Sequence, residues 1–254
     1  MHILEHKPNE IIKIVADLTN SPEKTAADIK KMVTYYSKGK QTPTKLQHHW
    51  YESLRAGNPD YSVYQDPIFV VEATACFIVY SRKYLKLLEK IKQELPATTV
   101  IYDLGCGVGL TTAAIAEIFP SAKVFGTQID GPQKEIAEVF SKKFSFSIEP
   151  ACTHVSNGYV IAFDYAEHFI NPIEHFEPII KQKPVALILA NSFSSFSVGH
   201  FLTYKINGEE IPNTKMGKKF NSWLRCNGYV QKEAHFYNNR PSIWIKEKQQ
   251  QFLL

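Results

Sequence analysis

The stretch of this 254-residue chain that most constrains its fold lies at residues 100–112 and carries three glycines at alternate positions. A short apolar run of β-forming residues ends at Asp103, the glycines follow, and a segment rich in alanine and isoleucine comes next. Glycine lets a backbone approach a ligand closely, and the first turn of a helix directs free N–H groups at whatever precedes it. The pattern therefore predicts a strand, a tight turn and a helix at the ligand-binding edge of a parallel α/β sheet.

The spacing of these glycines separates two kinds of ligand. The dinucleotide fingerprint G-x-G-x-x-G places its third glycine three residues after the second, and this chain has Leu110 there. The run D-x-G-x-G-x-G from Asp103 to Gly109 instead resembles the first motif of class I methyltransferases that depend on S-adenosylmethionine (SAM). The alternative is an ordinary tight βα turn that uses glycine for packing alone.

The resemblance implies a binding site for SAM and for its product, S-adenosylhomocysteine (SAH). It implies that Asp103 lies near the methionine amino group of the cofactor. It also implies that the turn containing Gly105, Cys106 and Gly107 lies along the amino acid and the ribose.

The second predicted strand, residues 123–130, departs from the pattern of this family. The family usually has an acidic residue at the end of that strand, where it holds both ribose hydroxyls, and the alignment places Gln128 there, followed by Ile129. An amide can hydrogen-bond a ribose hydroxyl, but without the charge-assisted strength of a carboxylate. We expect Gln128 and Ile129 to contact the cofactor, and Asp130 is the alternative for the ribose contact.

A second resemblance lies in the run Y-V-I-A-F-D-Y-A-E-H-F at residues 159–169. It is similar to the fourth-strand motif of small-molecule methyltransferases, in the style of ubiquinone-biosynthesis and related O-methyltransferases. The resemblance implies that Asp164 and Tyr165 contact the cofactor. Neither the Pro-Pro-aromatic run of amino-methylating DNA enzymes nor the Pro-Cys nucleophile of cytosine C5 enzymes stands here.

The order of predicted elements gives the fold class. We expect an α/β protein with a doubly wound, mostly parallel seven-stranded sheet, the Rossmann-like methyltransferase fold, preceded by helices. The apolar run at residues 184–190 is typical of a buried parallel strand, and a helix and a closing β-hairpin follow. We predict a helical extension or lid at residues 1–96 and a SAM-binding core at residues 97–254.

Three residues outside these motifs are candidate substrate contacts. Tyr64 ends the polar and aromatic segment 48–64, which is a candidate wall of the acceptor pocket, and Arg82 can pair with a carboxylate or phosphate. Asn191 stands at the carboxyl end of the predicted fifth strand, where open α/β sheets bind ligands. For the aromatic segment the alternative is a loop packed on the core, and for Arg82 it is a place on the surface.

The chemistry implied is an in-line displacement in which positioning and exclusion of water supply most of the catalysis. A hydroxyl or ammonium acceptor must also lose a proton, and histidine suits that role near neutral pH. The candidate catalytic residues are His168 beyond the fourth strand, His200 in the long segment 192–213, and Glu167. The alternative for both histidines is a structural role.

The remaining histidines and the cysteines do not indicate a metal site. His48 and His49 are adjacent, so they point in different directions, and neither has a partner at ligand spacing. The four cysteines share no metal-ligand spacing and are expected to be reduced thiols of a cytoplasmic protein. No apolar run approaches the ~20 residues that cross a bilayer, and the N-terminus lacks a signal-peptide pattern.

The net charge of +4 is unevenly distributed, because residues 100–190 are acidic in balance and both flanks are basic. A mild basic excess is more often a solvated surface than a nucleic-acid site. The resemblance to small-molecule methyltransferases implies methyl transfer from SAM to an oxygen or nitrogen of a small molecule, and we expect no nucleic-acid or membrane partner. The alternatives are a protein or RNA methyltransferase of the same fold and a non-catalytic SAM- or nucleotide-binding module. The sequence leaves the oligomeric state open.

Overall fold

The seven strands of the main sheet form where the sequence predicts them, whereas the other two strands lie in a segment for which no strand was predicted. The structure is a computed structural model and describes residues 2–39, 45–232 and 240–247. Within these ranges the strands are β1 (Val100–Leu104), β2 (Lys123–Thr127), β3 (Phe146–Glu149), β4 (Tyr159–Phe163), β5 (Ala186–Ala190), β6 (Thr203–Ile206), β7 (Glu209–Pro212), β8 (Tyr229–Lys232) and β9 (Ser242–Lys246).

Seven of these strands make one sheet in the order β3-β2-β1-β4-β5-β9-β8. The first five are parallel to their neighbours, whereas β9 runs antiparallel to both β5 and β8. The strand order reverses direction between β1 and β4, and the crevice at such a switch point is where open α/β sheets bind ligands. This arrangement confirms the predicted α/β fold with a mostly parallel seven-stranded sheet.

The α-helices begin at residues that suit a first turn. Proline stands at the start of four of them, where its missing N–H leaves no hydrogen bond unmade. The helices are α1 (Pro8–Ala16), α2 (Pro22–Ser37), α3 (Lys45–Arg55), α4 (Ile68–Cys76), α5 (Arg82–Ile91), α6 (Leu110–Ile118), α7 (Pro132–Ser141), α8 (Pro172–Lys181) and α9 (Asn213–Cys226). None of the helices in the described ranges combines the length and hydrophobicity that a membrane crossing requires.

Short turns of other helical types connect these elements. Turns of 3-10 helix span Tyr61–Gln65, Lys92–Glu94 and Ala166–His168. Between α4 and α5 the chain stays helical but widens into a π-turn at Phe77–Ser81. Such π-turns are rare, and many of them lie at functional sites.

One hydrophobic core joins the N-terminal helices to the sheet. Ile11 of α1 and Leu88 of α5 belong to the same buried cluster as Ile101 of β1 and Ile115 of α6. The N-terminus is also tied to the core helix α6, because the Ile3 N–H donates to the Glu117 carboxylate at 2.7 Å. Side chains from both predicted domains therefore share one core, and the boundary at residues 96 and 97 stays a prediction.

The long segment 192–213 contains a structure that its sequence signals. Strands β6 and β7 pair as an antiparallel hairpin, and the residues between them are Asn207 and Gly208. Both have positive φ angles, 52° and 81°, which fits the two-residue turn that Asn-Gly favours in hairpins. Alternation of buried and exposed residues in β6 supports the same interpretation.

Candidate active site

A cavity of about 1210 Å³ opens at the carboxyl ends of the central strands, beneath the N-terminal helices. All of the predicted cofactor contacts line this cavity, together with three of the six predicted catalytic and substrate residues, Tyr64, His168 and His200. The cavity therefore has two ends, which we call the glycine end, around residues 103–130, and the histidine end, around Tyr64, His168 and His200.

The glycine end is shaped by backbone that other residues could not adopt without strain. Gly105 and Gly107 have φ angles of 66° and 55°, in the left-handed region that favours glycine. A Cβ atom added to Gly105 would lie 2.5 Å from Cδ2 of Tyr165, and one added to Gly107 would lie 3.2 Å from the Ala73 Cβ. The glycines thus let the turn pass close to Tyr165, which follows β4, and to Ala73 of α4.

Asp103 is buried at the end of β1, where it also lines the cavity. Its carboxylate accepts a hydrogen bond from the Thr112 hydroxyl at 2.7 Å. Burial raises the pKa of Asp103 to about 7, while the bond from Thr112 lowers it by a smaller amount. A cationic group arriving in the cavity would favour the ionised form of this carboxyl.

Gln128 is held by two neighbours. Its side-chain oxygen accepts from the Gly107 N–H at 3.1 Å, and its amide nitrogen donates to Gln133 at 2.7 Å. Gln133 in turn donates to the Phe69 carbonyl at 2.7 Å, so the network links the glycine turn to α7 and α4. An amide oxygen has a second lone pair and an amide nitrogen a second hydrogen, so Gln128 retains capacity for a ligand.

The other two residues after β2 are more exposed. The Ile129 side chain lines the cavity and is 54% exposed, which is unusual for a large apolar residue. The Asp130 carboxylate is 91% exposed and pairs with Lys134 at 2.6 Å. Gln128 is therefore the better-placed ribose contact, and the choice between it and Asp130 stays a prediction.

The histidine end brings together side chains from three separate segments of the chain. The Tyr64 hydroxyl lies 2.8 Å from Nδ1 of His168, and the rings of His168 and His200 meet edge to face at 4.7 Å. Nε2 of His200 lies 3.7 Å from a carboxylate oxygen of Asp164. The sequence places Asp164 among the cofactor contacts, and the structure sets its carboxylate beside the histidines.

Close packing fixes these side chains. Gly199 passes so near that an added Cβ would lie 2.2 Å from the Tyr64 hydroxyl and 2.5 Å from Nδ1 of His168. The indole N–H of Trp50 donates to the His200 carbonyl at 2.9 Å. Trp50 belongs to α3, so the predicted aromatic wall at residues 48–64 begins in a helix, whose buried tryptophan anchors the histidine loop, and ends in the 3-10 turn that carries Tyr64.

The fold around this cavity is also seen in solved structures. No protein-family model matches the sequence, and no curated protein matches it in sequence. A candidate O-methyltransferase from Nostoc punctiforme is similar over 80% of this chain and 69% of its own, with a TM-score of 0.54 and 14% identity. The chain has the class I methyltransferase fold.

Two further methyltransferases show a weaker likeness to this fold. The SAM-dependent methyltransferase SibL in its apo form is 13% identical over 89% of this chain and 76% of its own, with a TM-score of 0.48. The mitomycin 7-O-methyltransferase MmcR is 12% identical over 96% of this chain and 73% of its own, with a TM-score of 0.47.

Burial keeps the two imidazoles at the histidine end of the cavity in their uncharged forms. Burial and the neighbouring His200 lower the pKa of His168 to about 3, and burial also lowers the pKa of His200. Both imidazoles are therefore neutral at pH 7. Glu167 is fully buried, and burial together with the Asp164 charge raises its pKa above the usual range of a carboxyl.

Three predicted site residues lie outside the cavity lining. The Arg82 guanidinium donates to the carbonyls of Leu4 and His6, both at 2.7 Å, so it holds the N-terminal segment rather than facing the cavity. Glu167 lies behind the cavity wall, with its carboxylate accepting from the Ser192 N–H. Asn191 follows β5, but only its neighbours Ala190 and Ser192 line the cavity.

The structure adds cavity residues that the sequence analysis missed. Helix α4, the π-turn and the start of α5 contribute a stripe of side chains at helical spacing, among them Glu72, Tyr80 and Tyr84. Burial raises the pKa of Glu72 to about 7, with smaller contributions from Asp164 and Asp66. The sequence does carry a signal for this stripe: acidic and aromatic residues recur at intervals of three and four within a mostly apolar helical segment.

Proposed function

We propose that this protein is a SAM-dependent methyltransferase that transfers a methyl group to an oxygen or nitrogen nucleophile of a small molecule. The observation that carries the proposal is that a glycine turn resembling a SAM motif and a tyrosine–histidine pair line one cavity of about 1210 Å³. A typical ligand cavity measures about 300–1,000 Å³. The space is therefore enough for a cofactor and a small acceptor.

The glycine end has the features that SAM requires. A buried carboxylate, Asp103, suits the methionine ammonium, and the turn lines the cavity at Gly105 and Gly107, where a Cβ would press on Tyr165 or Ala73. Gln128 can hydrogen-bond a ribose hydroxyl, and Ile129 offers an exposed apolar surface for a base. When bound there, SAM supplies a methyl group already activated on a sulfonium, so the protein needs mainly to orient it.

The histidine end is suited to holding an acceptor and handling its proton. Tyr64 and His168 offer a hydroxyl and an imidazole 2.8 Å apart. His200 faces the Asp164 carboxylate, and such a pairing favours an imidazole that receives a proton. Glu167 and Asn191, which lie behind this wall, are proposed to position the residues in front of them rather than to touch the acceptor.

We also propose that residues 1–96 act as a lid over the core at residues 97–254. Helices α2, α4 and α5 contribute Tyr36, Glu72 and Tyr84 to the cavity wall. A cover of this kind excludes water from the reacting groups. All four cysteines are free thiols, which suits the reducing environment of the cytoplasm, and we propose that location.

Two measurements test the proposed function. Calorimetric titration with SAH tests the cofactor site, and one molecule should bind per chain. Transfer of a labelled methyl group from SAM should then be screened over hydroxylated and amine metabolites, RNA and peptides, with SAM hydrolysis subtracted. We expect transfer to a small molecule. Transfer only to RNA or peptides would indicate an RNA or protein methyltransferase. SAH binding with no transfer to any of these acceptors would indicate a non-catalytic binding module.

A further inference from the structure

Asp164, His168 and His200 converge in a way that the methyl-transfer proposal does not require. One nitrogen of each imidazole and one carboxylate oxygen all lie within 4.8 Å of one another. His200 is almost fully buried, whereas Asp164 and His168 face the cavity. Two imidazoles and a carboxylate on one wall of a cavity form a donor set common to catalytic metal sites.

Hydrogen bonds around His200 determine which ring nitrogen is free. The Ser195 hydroxyl donates its one hydrogen to the Ser192 carbonyl at 2.8 Å. The same hydroxyl lies 2.9 Å from Nδ1 of His200; with its hydrogen on the carbonyl, the hydroxyl accepts from Nδ1, and Nδ1 carries the ring hydrogen. In the neutral ring Nε2 therefore holds a lone pair.

That lone pair faces another acceptor. Nε2 of His200 is buried and has no hydrogen-bond partner among the described residues, and the nearest carboxylate oxygen of Asp164 is 3.7 Å away. This distance exceeds the 2.7–3.2 Å of an ordinary N–H···O bond. The His200 side chain is 2% exposed and that of Asp164 is 50% exposed, so a cation that reaches this wall from the cavity could bind both the lone pair and the carboxylate oxygen.

The arrangement of His168 completes the set. Its Nδ1 lies beside the Tyr64 hydroxyl, just as Nδ1 of His200 lies beside the Ser195 hydroxyl. Histidines that bind metals are commonly oriented through a hydrogen bond at the other ring nitrogen. Both rings of this cluster have such an outer partner.

We propose that Asp164, His168 and His200 bind a divalent transition-metal ion, with open coordination positions facing the cavity. Ligand atoms about 2.1 Å from such an ion lie roughly 3.0–3.4 Å from each other. The observed separations, 3.7 Å and up to 4.8 Å, need only a small inward movement of the side chains. Mixed imidazole and carboxylate ligands suit Zn²⁺, Fe²⁺ or Mn²⁺ better than Ca²⁺.

A second part of the inference rests on the proposed function. An acceptor hydroxyl coordinated at the open position would lose its proton to water more readily, because the ion stabilises the resulting oxygen anion. The two histidines would then be ligands, and no separate base would be needed. The sequence-based expectation of no metal site rested on His48, His49 and the four cysteines, whereas Asp164, His168 and His200 stand 4 and 32 positions apart and share no recognisable spacing.

The test is Zn²⁺ binding by the full chain, measured by competition with a chromophoric chelator. We expect one tightly bound ion. Ser195→Ala, which removes an outer partner, should weaken binding by about 10–100-fold, and His200→Ala should weaken it further. The matched control is His49→Ala, because His49 pairs with Asp60 at 2.6 Å on the exposed surface. Equal losses in His49→Ala and His200→Ala, or no bound ion in the unmodified chain, would overturn the site.

X-ray absorption of the Zn²⁺-loaded chain gives a second test that needs no variant. It should show two imidazole nitrogens and further oxygen ligands at about 2.0–2.2 Å. A shell of oxygens alone would contradict the proposal. SAH calorimetry separates the two hypotheses: a chain that binds SAH but not Zn²⁺ loses only the metal site. A chain that binds Zn²⁺ but not SAH loses the proposed function and keeps the metal site.

Discussion

The two ends of the cavity are built in different ways. At the glycine end, Asp103, Gly107 and Gln128 lie within a single β-α-β unit, and the shape comes from backbone. At the histidine end, Tyr64 and His168 meet although they are 104 residues apart. There the shape comes from side chains on two 3-10 turns and one loop, fixed by close packing around Gly199.

This difference predicts that substitutions at the two ends have different effects on cofactor binding and on methyl transfer. A change to the glycine end should remove cofactor binding, because the cofactor has no other backbone to lie on. A change to the histidine end should reduce methyl transfer but leave cofactor binding intact, since the side chains of that end belong to segments other than the glycine turn.

Gly107→Val should abolish detectable SAH binding. The residue has a φ of 55° and its Cβ would press on Ala73, and a β-branched residue at positive φ is strongly strained. Calorimetry measures the loss, and circular dichroism should show the secondary structure retained. The control is Gly208→Val, at a φ of 81° with nothing within 4 Å of its Cβ. If Gly107→Val bound SAH as tightly as Gly208→Val does, the cofactor would not lie on this turn.

Gly199→Ala should reduce turnover while SAH affinity stays close to that of the unmodified protein. The added Cβ would displace the Tyr64 hydroxyl and the His168 ring, and loss of a positioned proton-transfer group typically costs about 10²–10⁴-fold in rate. Steady-state kinetics with the acceptor found by screening provide the measurement. Gly217→Ala is the matched control, because its Cβ would meet only Phe193 at 3.6 Å. A loss of SAH binding as large as the loss of turnover would remove the distinction between the two ends.

SAH affinity should rise with pH between about 5 and 7. Burial raises the pKa of Asp103 to about 7, so below that pH the carboxyl must release its proton before it can pair with an ammonium. Affinity should therefore fall by about tenfold for each pH unit below 7. Asp103→Asn should bind more weakly and lose this dependence. Glu72→Gln should keep it, although the pKa of Glu72 is also about 7; if Glu72→Gln abolished the dependence instead, the ammonium contact would belong to Glu72.

Gln128→Ala should weaken SAH binding by about 1–2 kcal/mol, the cost of a lost neutral hydrogen bond and an unpaired partner. Part of this loss would come from the Gly107 N–H, which Gln128 also binds. Asp130→Ala is the comparison, and it should have less effect because its carboxylate is exposed and paired with Lys134. A larger effect of Asp130→Ala on SAH affinity would transfer the ribose role to Asp130.

The sequence predicts the glycine end because its signal is local. A strand, an acid and alternating glycines within residues 100–112 determine the turn, and the order of apolar runs determines the sheet. The predicted cofactor contacts therefore all line the cavity. Even Gln128, which departs from the family pattern, is tied directly to the Gly107 N–H.

The histidine end was only partly predictable because its contacts are long-range. Residue type alone marked His168 and His200, but nothing in the sequence indicated that Gly199 brings the Tyr64 hydroxyl to His168. Arg82 was predicted as a substrate contact because of its charge, but its guanidinium donates hydrogen bonds to the carbonyls of Leu4 and His6. Helical spacing in α4 and the π-turn could have pointed to Glu72 and Tyr80, which follow Phe69 and Phe77 by three residues each on the cavity wall.

A crystal structure of the full chain with SAH tests the central claim most directly. The account predicts the SAH amino group about 3 Å from the Asp103 carboxylate and the ribose beside Gln128. The sulfur should point toward Tyr64, His168 and His200. SAH bound outside this cavity, or bound within it with the sulfur directed away from both histidines, would contradict the account.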